Sequence, residues 1–226
     1  FMIYRSLRSP TWDQKPDLIL ASGDMLSGDR EEGDAIAVAL LSRLSDLAPV
    51  CFVNGNHEMC VERHQPERYQ KFMDDLKNGG VQVLHNETAW FWIDGEKVAV
   101  TGYELPWEYY RRFSRRHPSV VGMERSIGKR KQDAYQILLT HNPVFFEEYA
   151  AWGADFTFAG HLHGGFIRLP YFGGVISPQF QLFPKYDHGL YQMDTSSMVV
   201  GAGMGNHSGL FRINNPTEIV TVRIKR

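Results

Sequence analysis

Phe156-Thr157-Phe158-Ala159-Gly160-His161-Leu162-His163-Gly164-Gly165 runs from an apolar stretch into two imidazoles on a glycine-flanked turn. In an extended chain alternate residues point to one side, and glycines without Cβ let backbone and ligand come close. An isolated His-x-His is weak evidence of a metal site. Here three more segments repeat the arrangement. Leu18-Ile19-Leu20-Ala21 leads into Ser22-Gly23-Asp24, Val50-Cys51-Phe52-Val53 into Asn54-Gly55-Asn56-His57-Glu58, and Ile137-Leu138-Leu139-Thr140 into His141-Asn142-Pro143. Each apolar run is short, rich in branched residues and without alternation, as expected of strands buried on both faces. In such α/β sheets ligands bind beyond the carboxyl ends of the strands, where all four polar clusters fall.

The donor set is chemically coherent. Asp24 offers a charged oxygen, Asn56 a neutral one, and His141, His161 and His163 offer imidazoles. That mixture suits Mn, Fe, Zn or Co and is too rich in nitrogen for Ca or Mg. Taken singly, each residue has a plain structural reading: Asp24 as a helix N-cap, Asn56 as a turn residue, His141 as a buried histidine bonded to backbone. Those readings do not explain why all of them stand at strand ends, and jointly a metal site is expected.

In order, Gly23-Asp24, Gly55-Asn56-His57-Glu58, His141 and Gly160-His161-Leu162-His163 resemble the calcineurin-like metallophosphoesterases. Pro16-Asp17-Leu18, the stretch Gly164 to Pro170, Phe183 to Tyr191, and Gly203 to Pro216 are similar to the bacterial branch of YkuE- and YaeI-type phosphodiesterases. The resemblance implies two divalent metal ions bridged by Asp24, one completed by Asn56, His141 and His161 and the other bound by His163. His57 would sit over the phosphate and donate to a non-bridging oxygen or to the leaving group. Glu58 is either its partner, orienting the imidazole, or simply an acid in the first turn of a helix. Two such ions would neutralise the phosphate and supply an activated water for in-line attack, without a covalent phosphoenzyme. The substrate is then a phosphodiester or pyrophosphate ester. The alternative is a degenerate, metal-poor member that binds a phosphorylated ligand without turnover.

One part of that family's pattern is missing. Its members open with a strand ending in Asp-x-His, and no Asp-x-His occurs in this sequence. Phe1-Met2-Ile3-Tyr4 reads as a strand, but a helical crossover from it to a parallel strand at Leu18 takes at least about 10–12 residues. Arg5–Asp17 barely reaches that length and carries Pro10 and Pro16. The expectation is that residues upstream of, or within, this segment are absent and that the missing strand completes the second metal site.

The rest of the chain fits one enzyme domain over 1–226, α/β, with two sheets packed as a sandwich and helices outside. That four-layer αββα form is what the resemblance implies; the pattern alone supports α/β or α+β. A hydrophobic content of 43% over 226 residues supplies one core of ordinary size. A net charge of −2 creates no global field to recruit nucleic acid or membrane. Two cysteines suggest no disulfide framework. No run approaches the roughly 18 apolar residues of a membrane-spanning helix; the two cysteines suggest a reducing compartment, and the expected location is cytoplasmic or the cytoplasmic side of a membrane. Helices are expected over Glu31–Leu47, with Ile36, Leu40, Leu44 and Leu47 on one face, and over Pro66–Asn78. A hairpin should turn at Asp94-Gly95.

Residues 107–136 stand apart, combining Trp107, Tyr109, Tyr110 and Phe113 with Arg111, Arg112, Arg115, Arg116, Arg125, Lys129, Arg130 and Lys131. One reading is a cap that recognises an anionic or lipid-like substrate. The favoured one is a solvated amphipathic helix pair that packs by its aromatics. A nucleic-acid-binding module is disfavoured because no recognised binding motif accompanies the basic residues. His64, His85 and His117 read as surface residues. His188, His207 and Arg212 are weaker candidates for the site.

Overall fold

The structure, a computed structural model, describes residues 2–7, 15–28, 31–111, 116–165, 168–169, 173–174, 183–205 and 214–224. Three strands, β2 (Ile19–Ala21), β3 (Val50–Phe52) and β4 (Gln82–Val83), pair in parallel in the order β2-β3-β4. A larger sheet contains β5 (Thr88–Ile93), β6 (Glu96–Tyr103), β7 (Tyr135–Thr140), β8 (Phe156–Ala159), β11 (Gly189–Met193) and β12 (Ser196–Val200). Its order is β11-β12-β8-β7-β6-β5, parallel across β12, β8, β7 and β6, with antiparallel strands at both edges.

Side-chain alternation along each strand builds the layers. In β3, Val50 and Phe52 pack toward α1 (Glu32–Ser45), α2 (Asn56–His64) and α3 (Pro66–Asn78), meeting Leu41, Val61, Phe72 and Leu76. Cys51 turns the other way and meets Val98, Val100, Ile137 and Leu139 of the larger sheet, forming the seam between the sheets. On the far face, Tyr103 and Leu138 pack under α4 (Val120–Ile127) and α5 (Phe146–Trp152) through Met123, Tyr149 and Trp152. Helix, sheet, sheet and helix follow in that order, so the expected sandwich is present. Burying strands on both faces removes the period-two polarity signal and explains their unbroken apolar runs.

Local expectations meet mixed outcomes. Helix α3 spans the expected residues, and the hairpin turns at Asp94 and Gly95, both at positive φ (50° and 80°), as a tight two-residue loop demands. The inward face of α1 is rotated. Ala37 and Leu41 are buried while Ile36 is 71% exposed, because the small Ala37 lets the helix sit close to the sheet. Among the described residues of 107–136 there is no helix pair. A 3₁₀ turn at Trp107–Tyr110 and the single short helix α4 take its place, and Phe113, Arg112 and Arg115 lie outside the described residues. The opening strand β1 (Met2–Leu7) pairs antiparallel with β13 (Ile219–Ile224) rather than in parallel beside β2, so that pairing requires no helical crossover. A further short ribbon pairs β9 (Arg168–Leu169) with β10 (Gly173–Gly174).

Candidate metal centre

Four loops leave the carboxyl ends of β2, β3, β7 and β8 on the same side of the sandwich, carrying Asp24, Asn56, His141 and His161. Backbone bonds hold those ends together. Val53 N–H donates to the Ala21 carbonyl at 3.2 Å, and Gly160 N–H to the His141 carbonyl at 3.0 Å. Gly23 and Gly55 approach so closely that a Cβ on Gly23 would lie 2.3 Å from Gly55 N, and one on Gly55 would lie 2.3 Å from Asp24 Oδ1. Glycine is required at both by contact, and at Gly23 also by its φ of +88°.

Asp24, His141 and His161 place one ligand atom each within 4.8 Å of the others. His141 Nδ1 donates to the Ser22 carbonyl at 2.6 Å, tying the larger sheet to the smaller. The same bond turns Nε2 toward Asp24 Oδ2, at 2.9 Å. A ring nitrogen fixed by a carbonyl while the other faces a carboxylate is the arrangement of a metal-ligating histidine. His161 Nδ1 stands 3.1 Å from His141 Nε2. Asn56 Oδ1 and His161 Nε2 are both buried with no hydrogen-bond partner among the described residues. Buried acceptors left unpaired beside a carboxylate and a second imidazole fit a cation, which would satisfy them together.

The backbone is strained where the ligands are. Asp24, His161 and His163 have φ of 58°, 65° and 49°, a region that non-glycine residues rarely occupy. Electrostatics favours a cation as well. Burial opposes charge on Asp24, but the neighbouring His141, His57 and His161 outweigh it and hold its carboxyl well below the usual carboxylate range. Burial also lowers His141, yet the Asp24 charge and the bonds to Asp24 and Ser22 raise it above the ordinary histidine value. His161 goes the other way: burial, His141 and His163 push it well below, leaving a neutral ring with a lone pair to give.

The remaining expected residues are placed differently. His163 is not in the tight group, although it is near enough for its charge to act on His161. His57 starts the first turn of α2 with its backbone N–H donating to Asp24 Oδ1 at 2.9 Å. Glu58 is completely buried, and its carboxylate accepts four backbone N–H groups, from Asp24, Met25, Leu26 and Gly55, at 2.6–2.8 Å. Those bonds correct the expectation of a partner for the His57 ring. Burial and the Asp24 charge push the Glu58 carboxyl above the usual carboxylate value, only partly offset by the amides of Leu26, Gly55 and Asp24.

Other residues border or support the site. Tyr110 sets its ring edge-on to His161 at 5.3 Å and 6.1 Å from His141, so the 3₁₀ turn of the aromatic segment does border the metal residues. Asn215 donates to the carbonyls of His163 and Gly165, the second at 2.8 Å. Its only sequence signal is its place in the segment similar to the phosphodiesterase branch. His188 pairs with Glu218 at 2.6 Å, and Glu218 also accepts from Ala202 N–H at 2.8 Å. His64 and His117 are exposed at the surface, whereas His85 is half-buried against Glu104 at 3.1 Å. His207 and Arg212 lie outside the described residues. Arg130 is used in the fold, bonding Asp155 and the Gly153 carbonyl. Cys51 and Cys60 are free, and burial pushes the Cys51 thiol up to about 12.

Among the described residues, no helix is long and apolar enough to cross a membrane. Comparison with known proteins agrees with the geometry. YkuE of Bacillus subtilis (strain 168), an uncharacterised metallophosphoesterase, is 24% identical over 94% of this chain and 69% of its own. Phosphodiesterase YaeI of Escherichia coli (strain K12) is 26% identical over 94% of this chain and 72% of its own. Among solved structures, the sulfate thiohydrolase SoxB of Thermus thermophilus matches 91% of this chain and 38% of its own with a TM-score of 0.49 at 14% identity, too distant to add to these. The profile of the calcineurin-like phosphoesterases matches residues 3–165, the span that holds all four strand-end motifs. With a cation-ready cluster built from those motifs, the chain belongs to the calcineurin-like phosphoesterase family and is a metal-dependent phosphohydrolase.

Proposed function

We propose that the chain hydrolyses a phosphodiester or pyrophosphate bond at a site for two divalent ions drawn from Mn, Fe, Zn and Co. The observation that carries this reading is the buried group of Asp24, His141 and His161, with Asn56 Oδ1 and His161 Nε2 left unpaired beside it. Asp24, Asn56, His141 and His161 would hold one ion, and Asp24 with His163 would contribute to the other. Bound there, the ions neutralise the phosphoryl oxygens and activate the attacking water.

The chain's own groups do the rest. Asp24 stays ionised and keeps its two oxygens apart in role, Oδ1 fixed by the His57 amide and Oδ2 directed at His141. His141 is aimed by the Ser22 carbonyl. His57, at the start of α2, would donate a proton to the leaving oxygen or a hydrogen bond to a non-bridging one. Tyr110 contributes an aromatic wall beside His161.

Activity against a panel of diesters, including a cyclic nucleotide, a glycerophosphodiester and a pyrophosphate, after reconstitution with each metal, tests the reading. Hydrolysis should require the metal and vanish in His161→Ala. The position of His163 outside the tight group keeps the binding-only alternative in view. Turnover of no ester with any metal, with a phosphorylated ligand still bound, would establish that alternative.

A further inference from the structure

Glu58 is fully buried one residue after His57, yet its oxygens are occupied elsewhere. Oε1 accepts from Met25 N–H at 2.6 Å and Leu26 N–H at 2.8 Å, and Oε2 accepts from Asp24 N–H and Gly55 N–H, both at 2.8 Å. A carboxylate has about four acceptor sites, so these amides fill it. Three of them, at 24, 25 and 26, are consecutive and converge on one carboxylate. Successive backbone N–H groups curled in this way form an anion-binding concavity, and without an anion their dipoles would repel one another. The anion here comes from the protein itself.

The turn that Glu58 fills is the one that presents Asp24. Gly23 and Asp24 both have positive φ, +88° and 58°. A non-glycine residue in that region is strained and persists only when its surroundings hold it. The Asp24 side chain is engaged by the His57 amide and His141 Nε2. The two acids thus cross-link the loops after β2 and β3 in opposite directions. Asp24 reaches from the first loop to the backbone of the second, and Glu58 from the second to the backbone of the first.

We propose that Glu58 is a positioning residue, whose carboxylate holds the turn at residues 23–26 in the one conformation that delivers the Asp24 carboxylate to the metal group. It acts through Asp24 and touches neither substrate nor metal. The assignment rests on the reading of Asp24 as a metal ligand.

The test is Glu58→Gln, whose amide nitrogen would face backbone N–H groups, donor against donor. Glu58→Asp keeps the charge but loses the reach of one methylene, and it carries the same comparison should the amide variant fail to fold. Leu41→Ala, in the core beneath α1, serves as a destabilised control that removes none of the four hydrogen bonds to Glu58. Thermal midpoint, Co(II) bound per chain, its dissociation constant and its visible absorption bands are measured for each. Co(II) affinity should fall at least about tenfold in the Glu58 variants with altered bands, whereas Leu41→Ala should lower the midpoint and keep wild-type affinity and bands. Wild-type affinity and bands in the Glu58 variants, or an equal loss in Leu41→Ala, would overturn the clamp. Wild-type protein that takes up no Co(II) would overturn the metal reading itself, and the clamp with it.

Discussion

His141 and His161 are neighbours with opposite proton affinities, and the difference has a measurable consequence. His141 is raised above the ordinary histidine value by Asp24, so below its pKa the ring carries a proton that a metal ion must displace. His161 is pushed well below by burial and is already neutral. Metal affinity should therefore weaken as pH falls through the raised His141 pKa, with proton release on binding below it. Calorimetric titration with Co(II) in two buffers of different ionisation enthalpy reads that proton directly, and equal apparent enthalpies below that pKa would contradict it. His57 makes the complementary case. Its tie to Asp24 is through backbone, so His57→Ala should keep metal content near wild type while turnover drops about 10²–10⁴-fold. Metal analysis beside steady-state kinetics separates the two effects, and metal lost with the side chain would make His57 a ligand.

At the scale of elements, the site is a meeting of two turns that exclude side chains from each other. Gly23→Ala would force a Cβ to 2.3 Å from the Gly55 backbone at a residue whose φ is +88°. Overpacking and left-handed strain together should cost roughly 2–4 kcal/mol. Denaturant titration measures that cost, and Co(II) binding should fall with it because Asp24 is the next residue. The turn after β8 has a separate support, since Asn215 holds the carbonyls of His163 and Gly165 from a distant part of the chain. Asn215→Ala should cost about 1–3 kcal/mol by leaving buried acceptors unpaired. Thermal unfolding at constant pH would show it, and an unchanged midpoint would mean that water replaces the amide.

For the whole molecule, stability and site share the seam between the sheets. Leu139 is fully buried there, two residues before His141, and Cys51 faces it from the smaller sheet. Leu139→Ala should cost about 2–5 kcal/mol. Because the loops that hold Asp24 and Asn56 leave one sheet and those of His141 and His161 leave the other, loosening the seam should weaken metal binding too. Binding to the folded form alone stabilises it by mass action, so the wild-type midpoint should rise with Co(II) concentration and return on chelation. A Leu139→Ala midpoint that rises as much as that of the wild type would show that sheet packing and ligand geometry are independent.

Short apolar runs ending in Gly-Asp, Gly-Asn-His-Glu, His and Gly-His-Leu-His were enough to read the parallel strands, the strand-end placement of Asp24, Asn56, His141 and His161, and the family. Those features depend on neighbours in sequence, on alternation and on glycine at turns, which a single chain displays openly. What Glu58 does was not legible, because an acid one residue after a histidine looks the same whether it faces the ring or the amides of a loop 32–34 residues away. Asn215 and Ser22 were hidden for the same reason, since each acts on a partner distant in sequence that only the fold brings within reach. The face of α1 was misread because apolar spacing alone does not distinguish Ile36 outward from Ala37 inward; close helix–sheet contact favoured the smaller residue. Sequence determined which groups could bind a cation and in what order they occur. Tertiary structure decided which of them converge, through contacts between loops that belong to different sheets.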